Sequence, residues 1–403
     1  GGPILKNRTF FYGNYEGLRQ RLSQTMYADV PGGAFRAQAT NPAIQPILNA
    51  YPAGTIRTSN AEIDRYAADR SNTWTEDSVS VRLDHRVNDN NNLYARFSTD
   101  RGVTNTQVTA IEGDREQPNL QPTNIVLQYQ RIFSPRVINE VKAGFNRQPL
   151  TRYSYGPFKE TINVSGFTAL NDNNLALEMG TSYALIDNVA ITRGRQTLKF
   201  GGEIRRIHVN VADPLNANWG VTYPNRTALL NNAVDSVSFN AGYPVQGTRK
   251  WLYLFYVQND FKVTPELTMN LGLRYEYYGV NREVCDRYRV FDAWECKGFC
   301  PMGTPWYFPD RNNFDPRVGI AWAPKALKGK TVIRTGGGIY HGPGQVDDVN
   351  TSLDNYISNY SLSRNEAPNL SYPITPFLAQ AREVGASPRS LQRDRRDLYS
   401  ANW

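Results

Sequence analysis

The strongest constraint in this chain is the length and period of its apolar alternation. From Trp251 to Tyr278 two runs flank the turn Val263-Thr264-Pro265-Glu266. In the second run Leu267, Met269, Leu271, Leu273, Tyr275 and Tyr277 fall on one strand face, and Thr268, Asn270, Gly272, Arg274 and Glu276 on the other, because successive strand side chains point to opposite sides. In the first run Trp251, Tyr253, Phe255, Val257 and Phe261 oppose a face ending in Gln258, Asp260 and Lys262. Globular strands are usually 5 or 6 residues long, whereas these runs reach about 10 to 15, the length a tilted membrane strand needs.

The unit recurs. Val79, Val81 and Leu83 lead through Asn88–Asn91 to Leu93, Ala95 and Phe97, with Arg82, Asp84, Arg86 and Arg96 opposite. Ile125, Leu127 and Tyr129 pass Ser134-Pro135 into Val137, Val141, Ala143 and Phe145, with Glu140 and Lys142 opposite. Leu185, Val189 and Ile191 pass Arg193-Gly194-Arg195 into Leu198, Phe200 and Ile204, against Lys199, Glu203 and Arg205. Val318, Ile320 and Trp322 pass a turn over Pro324 to Lys330 into Val332 to Tyr340. Between these hairpins lie connections at about 21–71, 101–121, 150–180, 211–249, 280–313 and from 342 onward, rich in Asn, Pro, Gly and Tyr. Compact soluble domains rarely carry loops beyond about 12 to 15 residues, whereas outer-membrane barrels alternate short periplasmic turns with long extracellular loops. The expected fold is all-β: an antiparallel up-and-down transmembrane β-barrel, incomplete at about 11 strands where plugged outer-membrane transporters have 22.

Composition agrees with that reading and removes others. The 24 Tyr, 17 Phe, 7 Trp and 31 Gly suit strands, interfacial rings and tight turns. No apolar run approaches the eighteen residues of a spanning helix. A net charge of +8 comes from 45 basic and 37 acidic residues that are interspersed, so no nucleic-acid partner is expected. Arg389, Arg393, Arg395 and Arg396 belong to 342–403, read as a long extracellular loop, with a short helix at Phe377–Val384, running into a truncated strand.

The opening Gly1-Gly2-Pro3-Ile4-Leu5-Lys6-Asn7-Arg8-Thr9-Phe10-Phe11-Tyr12-Gly13-Asn14-Tyr15-Glu16-Gly17-Leu18-Arg19 resembles the early barrel segment of Oar-like TonB-dependent receptors. Tyr256 to Thr268, Leu271 to Glu276 and Asn313 to Gly319 are similar to later strands of that family, and the resemblance covers most of the chain. It implies an outer-membrane location and energised uptake of a small ligand, in which the TonB complex acts through a plug. The signal peptide, regulatory module, TonB box, plug and closing strand of the family are absent from these residues, so the chain is expected to be an internal barrel piece over 1–403. An unclosed sheet leaves two unpaired edges, and the piece is not expected to insert stably by itself.

Candidate sites follow from the loops. Trp219, Tyr223, Trp294, Trp306 and Tyr307 fall in long connections, where amphipathic rings either stack on a sugar or peptide ligand or anchor the loop itself. Cys285, Cys296 and Cys300 share one predicted external loop, where an oxidising compartment favours one disulfide with the pairing open. Zinc would lack a fourth ligand, because no His lies in that loop. His85, His208 and His341 lie on separate strands, and no nucleophile elbow, zincin or phosphate-loop motif occurs. No cofactor or metal and no catalytic residue is therefore expected. Two other functions remain to be weighed: a secreted soluble β-protein that binds polysaccharide, with its apolar faces stacked in a core, and a hydrolase using Asp286 and Glu295.

Overall fold

The computed structural model of the protein describes residues 1–112, 115–171, 174–212, 219–241, 245–327, 330–343, 352–384 and 388–403. Strands dominate. The first half contains β1 (Gly2–Leu5), β2 (Thr9–Pro31), β3 (Ile56–Arg57), β4 (Ile63–Asn88), β5 (Asn91–Gln107), β6 (Arg115–Leu120), β7 (Thr123–Ser134), β8 (Val137–Tyr155), β9 (Thr161–Val164), β10 (Asn174–Arg193) and β11 (Gln196–Ala212). The second half contains β12 (Gly220–Tyr223), β13 (Ser236–Ala241), β14 (Val245–Lys262), β15 (Leu267–Tyr278), β16 (Arg282–Glu283), β17 (Phe291–Asp292), β18 (Gly298–Phe299), β19 (Asn313–Trp322), β20 (Ile333–Gly342), β21 (Ser358–Ser363), β22 (Arg382–Val384) and β23 (Leu398–Asn402). Short helices α1 (Gly33–Gln38), α2 (Gln45–Ala50) and α3 (Arg226–Leu230) lie in the connections.

One 16-stranded sheet forms a wall whose path runs from β1 to β23 without closing, with β7 paired between β5 and β8. Its long pairs are antiparallel. Eleven of the described strands reach ten residues or more, in line with the expected count.

Register fixes what each face shows, since a slip of one residue would exchange the two faces along a whole strand. Val81, Leu83, Leu271 and Leu273 stand 41–48% exposed on one side of the wall. A stacked sandwich would bury these side chains, and among the described residues the two smaller sheets are built from connection segments instead. The soluble sandwich reading is thereby overturned: exposed apolar rows this long require hydrocarbon, not water.

The wall rises further than alternation suggests. β2 and β4 pair without a break from Thr9↔His85 to Pro31↔Ile63, so both ends of the expected 21–71 connection are strand. Gln20 and Arg21, and after the single Leu22 also Ser23, Gln24 and Thr25, are polar. A strand wet on both faces keeps its backbone ladder but loses its period-two apolar signal. β8 and β14 likewise extend into expected loops, to Tyr155 and from Val245. The helix expected at Phe377–Val384 is instead a 3-10 turn at Thr375–Gln380 followed by β22. The end of the segment is drawn into the cap sheet instead, where Arg382 to Val384 pair with Ser361 to Asn359 of β21.

At the long-connection end the loops form a core of their own. β22, β21, β13, β12 and β9 make a five-stranded sheet from segments of three different connections. Phe35, Ile44, Ile47, Ile111, Ile162, Leu229, Leu370 and Ile374 pack around it, fully buried. Burying one such side chain is worth about 1.5–3 kcal/mol, so these segments are a folded cap rather than solvated loops.

Candidate functional site: the loop cap and the polar wall

Polar hubs hold the cap together across long sequence separations. Thr168 accepts from the Asp29 N–H through its hydroxyl at 2.9 Å, and its own N–H donates to the Asp29 carbonyl at 2.8 Å. The Tyr51 hydroxyl donates to the Thr168 carbonyl at 2.8 Å. Arg36 donates to the carbonyls of Pro31, Leu48 and Tyr51 at 3.1, 2.9 and 2.8 Å, which ties α1 to the end of α2. Burial lowers the pKa of Arg36, an effect the nearby Asp64 charge opposes. Arg226 pairs with Glu62 at 2.8 Å and so joins two connections 164 residues apart. Burial raises the pKa of the Tyr51 and Tyr223 hydroxyls, which are therefore neutral hydrogen-bonding groups.

The five aromatic candidates separate by burial. Trp219 and Tyr223 lie in the cap core at the two ends of β12, with the Lys159 ammonium 4.5 Å over the Trp219 ring and the Tyr223 hydroxyl donating to Asn232 at 3.0 Å. Trp306 and Tyr307 belong to a second core with Tyr288, Val290, Cys300 and Leu353. Trp306 packs 5.3 Å from Tyr288, and the Tyr307 hydroxyl donates to the Gly279 carbonyl. These four rings anchor loops and offer no free face. Trp294 differs, being 84% exposed on a turn fixed by its own N–H and that of Glu295 donating to Asp292 at 2.9 Å. The two backbone donors, aided by Arg393, hold the Asp292 carboxyl below the usual range.

Cys296 and Cys300 are disulfide-bonded beside this turn, and Cys285 is free and exposed. Asp286 is exposed with a left-handed backbone, φ 57°, while Glu295 is taken up by an ion pair with Arg393. No groove of paired carboxylates links them. The three histidines stay apart, His85 on Thr9 at 2.9 Å, His208 beside Tyr183, and His341 on Asp315 at 2.5 Å. Among the described residues no group of His, Cys, Asp or Glu is arranged to hold a metal.

The polar face expected from alternation, with pairs such as Arg274 and Glu276 bracing the wall, is regular. Arg82–Asp84, Glu140–Lys142, Glu203–Arg205, Arg274–Glu276 and Asp315–Arg317 are ion pairs two residues apart, one on each of β4, β8, β11, β15 and β19. Period two places i and i+2 on the same face about 6.7 Å apart, so the pattern was present in the sequence. Lys199 and Asp260 add a pair between β11 and β14 at 2.8 Å. Towards the cap this face becomes enclosed: Asp315 and Glu276 are buried, Glu276 bonds both Arg274 and Tyr278, and Arg317 lies 4.3 Å over the Tyr340 ring. Nearer the Val263–Glu266 turn a cleft of about 360 Å³ opens, lined by Gln258, Asn270, Arg317 and Tyr340 among others. A wall of compensated charges stays hydrated and offers donors and acceptors without a strong net field. Above it, Asp397 and Asp310 meet at the ends of β23 and β19. Burial, with the Asp310 charge adding, raises the pKa of Asp397 against the hydrogen bond from Asn313 at 2.8 Å.

The chain matches the outer membrane beta barrel domain family over residues 1–403. No curated protein sequence matches it significantly. Among solved structures, the outer membrane transporter YddB from Escherichia coli is similar with a TM-score of 0.58 at 9% identity, over 97% of this chain and 43% of that one. FpvA from P. aeruginosa gives 0.44 at 11% identity, over 88% and 44%, and FauA from Bordetella pertussis 0.40 at 9%, over 84% and 45%. The chain thus spans less than half the length of these structures, and the likeness to YddB speaks for the fold alone. With one apolar face, one ion-paired face and a match along its whole length, the chain belongs to the outer membrane β-barrel domain family and is located in the outer membrane.

Proposed function

We propose that this chain forms the wall and cap portion of an Oar-like TonB-dependent receptor that captures a polar ligand, an oligosaccharide or peptide, and admits it along the charged face. The observation that carries this reading is the pairing of opposite charges along one face of five strands, beneath a folded cap, with apolar rows on the other face. Such a lumen suits a large hydrated solute better than an apolar one. The opening segment Gly1–Arg19 supports the receptor family, and uptake would draw on the TonB complex acting through a plug. Trp294, exposed on a rigid turn, is the ring placed to stack on a ligand. The similar structure YddB is an outer membrane transporter, which is compatible with capture and uptake and leaves the ligand class to this chain's own chemistry.

The test is uptake by cells carrying the complete receptor. Labelled oligosaccharides and peptides are supplied with and without a proton uncoupler, and with the TonB gene deleted. Uptake of one class that stops in both cases supports the proposal; uptake unaffected by either overturns it.

A further inference from the structure

An acid stands on the apolar face where hydrocarbon should lie. Asp187 on β10 is the register partner of Val141 on β8 and Gly202 on β11, and it shares its face with Leu185 and Val189. It sits six residues before Arg193, where β10 ends, in a strand stretch of about 9 to 11 residues that spans the membrane. Asp187 is therefore near mid-depth, and it is exposed. Its carboxylate accepts from the Asn139 amide, which also donates to the Asn188 carbonyl at 3.1 Å. Two strands away on the same face, Arg131 of β7 is the register partner of Asn139 and is also exposed. Its guanidinium stacks 4.7 Å over Phe133. Among the described residues neither Asp187 nor Arg131 forms an ion pair.

Charge on the lipid side of a barrel is destabilising at mid-depth, and intramembrane ionisable groups are kept where a partner meets them. Here an acid and a base lie on either side of β8 without pairing with each other, placed for exchange with a second copy. We propose that this face is a twofold interface between two copies of the chain, with its axis over β8, so that Arg131 meets the partner's Asp187 and Asp187 meets the partner's Arg131. In such an isologous contact, whatever lies on one side of the axis meets what lies on the other. The shapes agree with that demand. Over β4, β5, β7 and β8 an apolar hollow of about 450 Å³ is lined by Leu83, Leu93, Ala95, Leu127, Val141 and Ala143. Across the axis β10, β11 and β14 present Leu185, Phe200 and Phe255 as exposed ridges, which fit the partner's hollow.

The proposal is tested on the complete protein in outer-membrane vesicles, by cross-linking through a Val141→Cys substitution near the axis and by mass after extraction in mild detergent. A covalent dimer is expected from Val141→Cys and none from Val318→Cys, which lies on a distant stretch of the same face. Asp187→Arg and Arg131→Glu are each expected to weaken association about tenfold or more through like-charge contact, and the double variant to restore it. Asp187→Asn, which keeps the shape, is expected to weaken association less. A monomer in wild-type membranes, equal cross-linking at both cysteines, no rescue in the double variant, or a complex with a different membrane protein through this face would each overturn it.

Discussion

Asn232 and Tyr372, 140 residues apart in sequence, are joined by two hydrogen bonds: the Tyr372 N–H donates to the Asn232 side-chain oxygen at 3.0 Å, and the Asn232 amide donates to the Tyr372 carbonyl at 2.6 Å. The same oxygen accepts from the Tyr223 hydroxyl, and Asn232 has a left-handed backbone with φ 50°. One side chain thereby closes the cap across two connections. Asn232→Ala removes all three bonds and keeps a backbone conformation that alanine disfavours, so the cap is expected to lose about 2–3 kcal/mol. Hydrogen exchange should report the loss at 219–241 and 370–374, with the wall strands unchanged.

Burial separates the loop tryptophans into anchors and a ligand candidate. Trp306 is 1% exposed, and Trp306→Ala is expected to cost about 3–5 kcal/mol by leaving a cavity. Trp294→Ala should alter stability by no more than about 0.5 kcal/mol, while weakening capture of the ligand identified by uptake. Chemical denaturation and ligand binding measured on both variants check the contrast.

Membrane orientation can be tested with a single pair of substitutions. Leu273→Arg places a charge in the hydrocarbon band and is expected to destabilise insertion by about 2–4 kcal/mol. Asn270→Arg lies three residues away on the polar face and should have little effect. Folding of the complete protein into phosphatidylcholine vesicles, followed by heat-modifiable gel mobility, compares them; equal effects would contradict the assignment of faces.

The Asp397 carboxyl gives the cap side of β23 a dependence on pH. Its pKa is raised in the folded state, chiefly by burial and then by the Asp310 charge. The folded protein therefore binds this proton more tightly than the unfolded chain, whose value is about 3.9. Stability from this group is full below the unfolded value and is lost as pH rises through the folded one. Asp397→Asn is expected to stabilise this end of β23 at pH 7 and to make little difference near pH 3, as read by amide exchange at 398–402.

The sequence by itself determined the wall. Rows such as Leu267 to Tyr277 and Val79 to Leu83 could satisfy period two only by facing one side, and short turns near 90, 135, 194, 264 and 327 left antiparallel neighbours as the pairing. The charge pairs at i and i+2 were equally local, because two residues on one strand share a face whatever the rest of the chain does. Tertiary structure alone decided the cap. Trp219, Tyr223, Trp306 and Tyr307 carry no local sign of being buried, since what covers them comes from other parts of the connections: Lys159 and Phe239 on Trp219, Asn232 on Tyr223, and Tyr288, Val290 and Leu353 around Trp306 and Tyr307. The extension of β2 and β4 beyond the apolar rows was hidden for a related reason: the ladder there is held by backbone bonds to a partner strand, and polar side chains on both faces leave no periodic trace.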